Sequence, residues 1–105
     1  MKILFDQGTP VPLRAYLTGH TTVTAFEQGW SDLANGQLLE AAEREGFECI
    51  VTTDQNLRYQ QDLATRRIGV AVLLSTSWPR MLPKAAAIAA LISSVGRGDY
   101  LEIPV

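Results

Sequence analysis

Phe47-Glu48-Cys49-Ile50-Val51-Thr52-Thr53-Asp54-Gln55-Asn56 reads as a buried strand that runs out into a carboxylate. The run to Thr53 is short, apolar and β-prone, which suits a strand covered on both faces of a parallel sheet. The same pattern opens the chain, where Lys2-Ile3-Leu4-Phe5 is followed by Asp6. In open α/β sheets ligands bind beyond the carboxyl ends of the strands, where the strand order reverses. Two carboxylates at that edge repel each other unless a cation or a proton lies between them. The pattern therefore predicts an acidic, metal-binding site on a small α/β domain.

Outward from these two strands, the chain alternates. After Asp6, Thr9 is placed to cap and Pro10 to start a short helix that runs to about Thr18 and stops at Gly19. His20–Ala25 is the second expected strand, and Gln28-Gly29-Trp30-Ser31 a loop. Asn35-Gly36 opens a helix over Gln37–Arg44, with Leu38, Leu39, Ala41 and Ala42 as its apolar face and Gly46 at its end. Phe47–Thr53 is the third strand. A polar helix is expected over Asn56–Arg66, with Leu57 and Leu63 inward, and Ile68–Leu74 is an unbroken apolar fourth strand. Trp78-Pro79 reads as a turn, Lys84–Val95 as a helix, and Tyr100–Ile103 as an edge strand, a place that Pro104 tolerates. Strands alternating with helices imply right-handed βαβ units, a parallel sheet between helix layers, and one domain over residues 1–105.

Nearly half of the 105 residues are hydrophobic, enough for a modest core without disulfides. The lone Cys49 excludes an internal disulfide and reads as a small core residue. The N-terminal residues lack the pattern of a signal or transit peptide, and Ala85–Val95 is too short to span a bilayer, so a cytoplasmic protein with no membrane contact is expected. A net charge of −2 argues against a broad basic face for nucleic acid. It leaves room for a local patch at Arg58, Arg66 and Arg67, since arginine forks suit phosphates, although a solvated helix face explains them too.

Four oxygen-bearing side chains are expected at the acidic edge: Asp6 and Asp54 from strands, Asn35 from a helix start, and Asn56 two residues beyond Asp54. Glu27, just past the second strand, is within reach. Hard oxygen ligands suit Mg²⁺ or Mn²⁺ with waters retained, and the matching chemistry is phosphodiester hydrolysis. Plainer roles stand beside these. Asp54 and Asn35 are good helix caps, Asp6 could cap the first helix, and Glu27 suits a solvated loop. His20 has no partner at metal-ligand spacing, Trp30 and Trp78 suit core edges, and Tyr59 belongs to the same polar helix as Arg58. A P-loop, a Gly-x-Gly-x-x-Gly turn, a Ser-His-Asp set and a Cys/His zinc pattern are all absent from the sequence.

The order of three segments resembles the PIN-like domain family, in its short bacterial branch. These are the strand ending in Asp6, the Gly29-Trp30-Ser31 segment leading to Asn35-Gly36-Gln37-Leu38-Leu39, and Val51-Thr52-Thr53-Asp54-Gln55-Asn56-Leu57. The resemblance covers nearly the whole chain. It implies a three-layer α/β/α fold with a central, mainly parallel sheet, and a Mg²⁺- or Mn²⁺-dependent ribonuclease. Many bacterial relatives are toxins silenced by a small antitoxin protein. By position, Asp6 matches the first-strand acid, Asp54 the acid after the third strand, Asn35 the position at the middle helix start, and Asn56 a fourth polar ligand. With two asparagines, the set keeps its ligand number and loses charge. Three readings follow. One is a metal-dependent ribonuclease, extending to the toxin of a toxin–antitoxin pair. Another is a catalytically weak or inactive scaffold binding RNA or a protein partner. The third is a small phosphatase or phosphotransfer domain. The all-round apolar helix Lys84–Val95 adds an expected homodimer or protein partner.

Overall fold

A computed structural model describes residues 1–57 and 62–105. Five strands form one sheet: β1 Lys2–Phe5, β2 Thr21–Thr24, β3 Cys49–Thr52, β4 Gly69–Leu73 and β5 Tyr100–Ile103. Their order is β2-β1-β3-β4-β5, with every neighbouring pair parallel. Around them lie α1 Asn35–Arg44, α2 Trp78–Met81 and α3 Ala85–Ser93, with 3₁₀ turns at Val11–Tyr16, Leu63–Thr65 and Leu82–Lys84. All four residues of β3 and all five of β4 are buried, as strands covered on both faces must be.

Side-chain alternation sorts the core into two layers. Ile3, Phe5, Val51 and Leu73 pack with Leu13 of the first 3₁₀ turn and with Met81 and Ile88 beyond β4. Leu4, Ile50 and Val72 point the other way and pack with Leu38, Leu39 and Phe47. The result is a three-layer α/β arrangement. Lys2 Nζ sits 4.3 Å from the Phe47 ring centroid, and Trp30 meets the same ring edge-on at 5.9 Å. Both tryptophans pack at core edges, Trp78 in the first layer and Trp30 in the second.

One expectation about the connections fails. The β2→β3 and β4→β5 connections step across the sheet in the same direction. α1 lies on one face and α3 on the other. The two crossovers therefore have opposite hands, and the right-handed rule cannot hold for both. β1→β2 steps back on the α3 face, and β3→β4 steps forward on the α1 face, where Leu57 and Leu63 pack. Both share the hand of β2→β3, and β4→β5 is the exception.

Local departures have local causes. The first helix is 3₁₀, with Leu13 N–H donating to Pro10 C=O at 3.1 Å and Leu17 N–H to Arg14 C=O at 3.1 Å. Pro10 is its capping residue and Pro12 its second residue, places where a helix has no use for an N–H. Thr9 does not cap it, because its buried hydroxyl donates to the Val51 carbonyl at 2.9 Å. Trp78-Pro79 is the start of α2 and not a turn, with the Ser77 hydroxyl accepting the Arg80 N–H at 3.4 Å and Pro79 in the first helical turn. The Asn56–Arg66 helix falls in part on residues 58–61, outside the described set, and Leu63–Thr65 is a 3₁₀ turn. α3 buries Ala85, Ile88, Ala89 and Ile92 but leaves Leu91 44% exposed. No helix among the described residues is long and apolar enough to cross a membrane.

Candidate acidic site at the strand ends

Register brings the two aspartates to one edge. Phe5 pairs with Val51, so Asp6 emerges beside Thr52, and the Asp6 N–H donates to the Val51 carbonyl at 2.9 Å. The Thr52 side chain is 1% exposed and joins both acids. Its hydroxyl donates to Asp6 Oδ2 at 2.9 Å and accepts the Asp54 N–H at 3.1 Å. Asp6 Oδ1 accepts the Gln7 N–H at 2.8 Å. The Asp6–Thr9 turn lies close on β3: Gly8 has φ +87°, and an added Cβ would stand 2.9 Å from Thr53 Oγ1. Only glycine suits both demands.

Asn35 joins the same group. Its Nδ2 donates to Asp54 Oδ2 at 2.8 Å. A carboxylate only accepts, which sets this orientation of the amide. The plain capping role expected of Asn35 is not what is found: it is the first helical residue, Ala34 precedes it as the cap, and Gln37 Oε1 accepts the Ala34 N–H at 3.1 Å. Asp6 likewise does not cap the first helix. Asp54 does take a turn-forming role, since its Oδ1 accepts the Asn56 N–H at 2.9 Å. Asn56 thus reaches the group through its backbone, and it is exposed. The positive end of α1 also lies by Asp54, favouring a carboxylate there.

Burial pushes the Asp6 carboxyl above its ordinary value. The Thr52 and Gln7 hydrogen bonds pull it back, and the charge of Asp54 adds to the rise. Each carboxylate oxygen named here accepts one hydrogen bond and keeps a further lone pair. Among the described residues, no group of three His, Cys, Asp or Glu side chains could hold a metal. The donor set is therefore two carboxylates. Mg²⁺ commonly binds through one or two carboxylates plus waters and substrate phosphates, so Asp6 and Asp54 are the residues that would hold such an ion.

Of the other expected residues, Glu27 lines the same cleft as Asp6, and Arg66 and Arg67 lie elsewhere. Glu27 Oε1 accepts from Arg14 Nη1 at 2.7 Å and from the Thr24 N–H at 2.8 Å, and first the backbone bond and then the arginine hold its carboxyl below the ordinary value. Arg66 Nη1 bonds Glu43 Oε1 at 2.9 Å, and the Arg67 N–H bonds Glu43 Oε2 at 3.0 Å. Glu43 is in the last turn of α1, on the order of 12 Å along the helix from Asn35. Arg66 and Arg67 thus stand at the opposite edge of the sheet and do not join the acids. Arg58 lies outside the described residues. His20 Nε2 lies 3.0 Å from Ser93 Oγ, away from the acids. Burial pushes the Cys49 thiol up to about 12, which leaves it inert.

A cleft of about 420 Å³ opens beside Asp6, between Val11 and Arg14 on one wall and Thr24–Glu27 on the other. Sequence reasoning found neither this cleft nor Thr52. The one available signal for Thr52 was a hydroxyl inside an otherwise apolar run, which needs a partner when buried. Comparison of the chain with family models, with curated proteins and with solved structures gives no match.

Proposed function

We propose that this chain hydrolyses RNA phosphodiesters at the Asp6–Asp54 edge with a weakly held divalent cation, Mg²⁺ or Mn²⁺, in the manner of a PIN-like nuclease. The observation that carries this reading is the convergence of Asp6, Asp54 and Asn35 around Thr52, at the end of a parallel sheet. β1 lies between β2 and β3, so strand order reverses there, and such a crevice is where open α/β sheets bind ligands. When bound, the cation would polarise a phosphoryl oxygen and lower the pKa of a bound water. The residues' own parts are separable. Asp6 and Asp54 supply negative charge. Thr52 orients both. Asn35 holds Asp54 Oδ2 in place.

The test is cleavage of single-stranded RNA with Mn²⁺. Wild type should cut, and Asp6→Ala should lose activity by at least the 10²-fold scale of a removed catalytic group. Equal activity in the two proteins would sink the proposal. The toxin form of this reading predicts growth arrest on expression, relieved by a small partner protein encoded alongside.

A second reading, a scaffold of weak or no catalysis, is favoured by one observation: a neutral amide meets Asp54 where a third acid would add charge. Divalent affinity depends on ligand charge. Asn35→Asp should tighten Mn²⁺ binding, read as added thermal stabilisation by metal, and should raise cleavage if the first reading holds. Tighter metal binding without cleavage would select the scaffold.

A further inference from the structure

We propose that the cleft beside Asp6 seats one unpaired nucleobase of a bound RNA strand, stacked on Phe26. This rests on the nuclease reading for the identity of the strand, but on separate residues for its geometry. Phe26 follows β2 in the loop facing the first 3₁₀ turn and is 79% exposed. Opposite it, Val11 is 47% exposed, and the floor is closed by the buried Phe5 and Ala25.

Charge decides what the cleft accepts. The cationic side chain in its lining, Arg14, is paired with Glu27 at 2.7 Å. The remaining charge is the Asp6 carboxylate. A phosphate entering here would meet two carboxylates and an arginine already engaged. A neutral, planar, largely apolar group meets no such opposition, and an exposed aromatic ring is a stacking platform for it. The exposed Gln7 amide at the rim carries both a donor and an acceptor for a base edge. Asp6 lines the cleft and also belongs to the acidic site, so the occupant is continuous with whatever reacts there. A base can enter only when unpaired, which makes single-stranded RNA the substrate class.

The experiment measures binding of a labelled single-stranded oligoribonucleotide by anisotropy, in metal-free, low-salt buffer, with its duplex and an abasic version as comparators. Phe26→Ala should weaken binding about fivefold to a hundredfold, Phe26→Trp should retain or tighten it, and the abasic and duplex forms should bind less well. Phe26 is exposed, so a melting curve unchanged from wild type accompanies both variants. Equal affinity of wild type and Phe26→Ala, or of normal and abasic strands, overturns the base seat. The nuclease reading is judged separately by Asp6→Ala with Mn²⁺. Cleavage that needs Asp6 but ignores Phe26 leaves the nuclease and removes the base seat. Phe26-dependent binding without cleavage does the reverse. A wild type that binds no RNA in this metal-free assay removes the base seat and leaves the nuclease reading to the Mn²⁺ cleavage test.

Discussion

Thr52 serves two aspartates with one hydroxyl, donating to Asp6 Oδ2 and accepting from the Asp54 N–H. Removing it leaves a half-buried carboxylate short of a donor and an N–H short of an acceptor. Thr52→Val should therefore cost about 1–3 kcal/mol in urea unfolding, with Thr52→Ser recovering most of it. A valine variant as stable as wild type would show that water replaces both bonds. Asp6 yields a prediction with a definite sign. Its carboxyl titrates higher in the folded chain than in the unfolded one, because burial opposes the charge. The stability it contributes is complete below the unfolded value and is lost as pH rises through the folded one. Metal-free Asp6→Asn should accordingly melt above wild type near neutral pH, and the gap should shrink in acid. A gap that stays constant across that range would mean Asp6 is not the group responsible. At this scale the acids were legible from sequence, because a carboxylate after an apolar run stands out. Thr52 was not, because its partner is set by parallel register.

Among the elements, α1 and the buried strands follow from pattern: apolar positions at helical spacing, and short, largely apolar runs. Their ends moved by one or two residues. The first helix and α2 were misread for one physical reason. A proline after a loop residue is compatible with a turn or a helix start alike: Pro12 sits in the first turn of the 3₁₀ segment and Pro79 in the first turn of α2. The close crossing of β4 under the end of α3 was also hidden. A Cβ at Gly69 would run into the Gly96 carbonyl and stand 2.7 Å from Val95 Cγ1. Backbone cannot swing aside as a side chain can, so Gly69→Ala should destabilise by on the order of 2–3 kcal/mol. The denaturation midpoint reads this directly. A shift within about 0.5 kcal/mol, the range of ordinary surface changes, would mean that the segment after α3 is free to retreat.

For the whole molecule, the order β2-β1-β3-β4-β5 places the reversal of direction beside β1, next to both acids. The odd-handed β4→β5 connection puts α3 on the same face as the first 3₁₀ turn. That helix turns one apolar side inward and leaves Leu91 outside, with Leu82 just before it 50% exposed. A homodimer through this outer side is the expected outcome. Light scattering at micromolar concentration should give twice the chain mass, and Leu91→Glu should return the monomer. A monomeric wild type ends the dimer.

Composition and periodicity by themselves determined the class of this chain. Short apolar runs alternating with amphipathic segments can bury their surface only as a sheet between helices, and that logic is local enough to read along the sequence. Strand order, register, the face each helix takes and the hand of each crossover depend on contacts between residues far apart in the chain. Tertiary structure alone therefore decided that Thr52 links Asp6 to Asp54, that Asn35 bonds Asp54 and does not cap α1, that Arg66 answers Glu43 at the far edge, and that Phe26 stands open on the cleft beside Asp6.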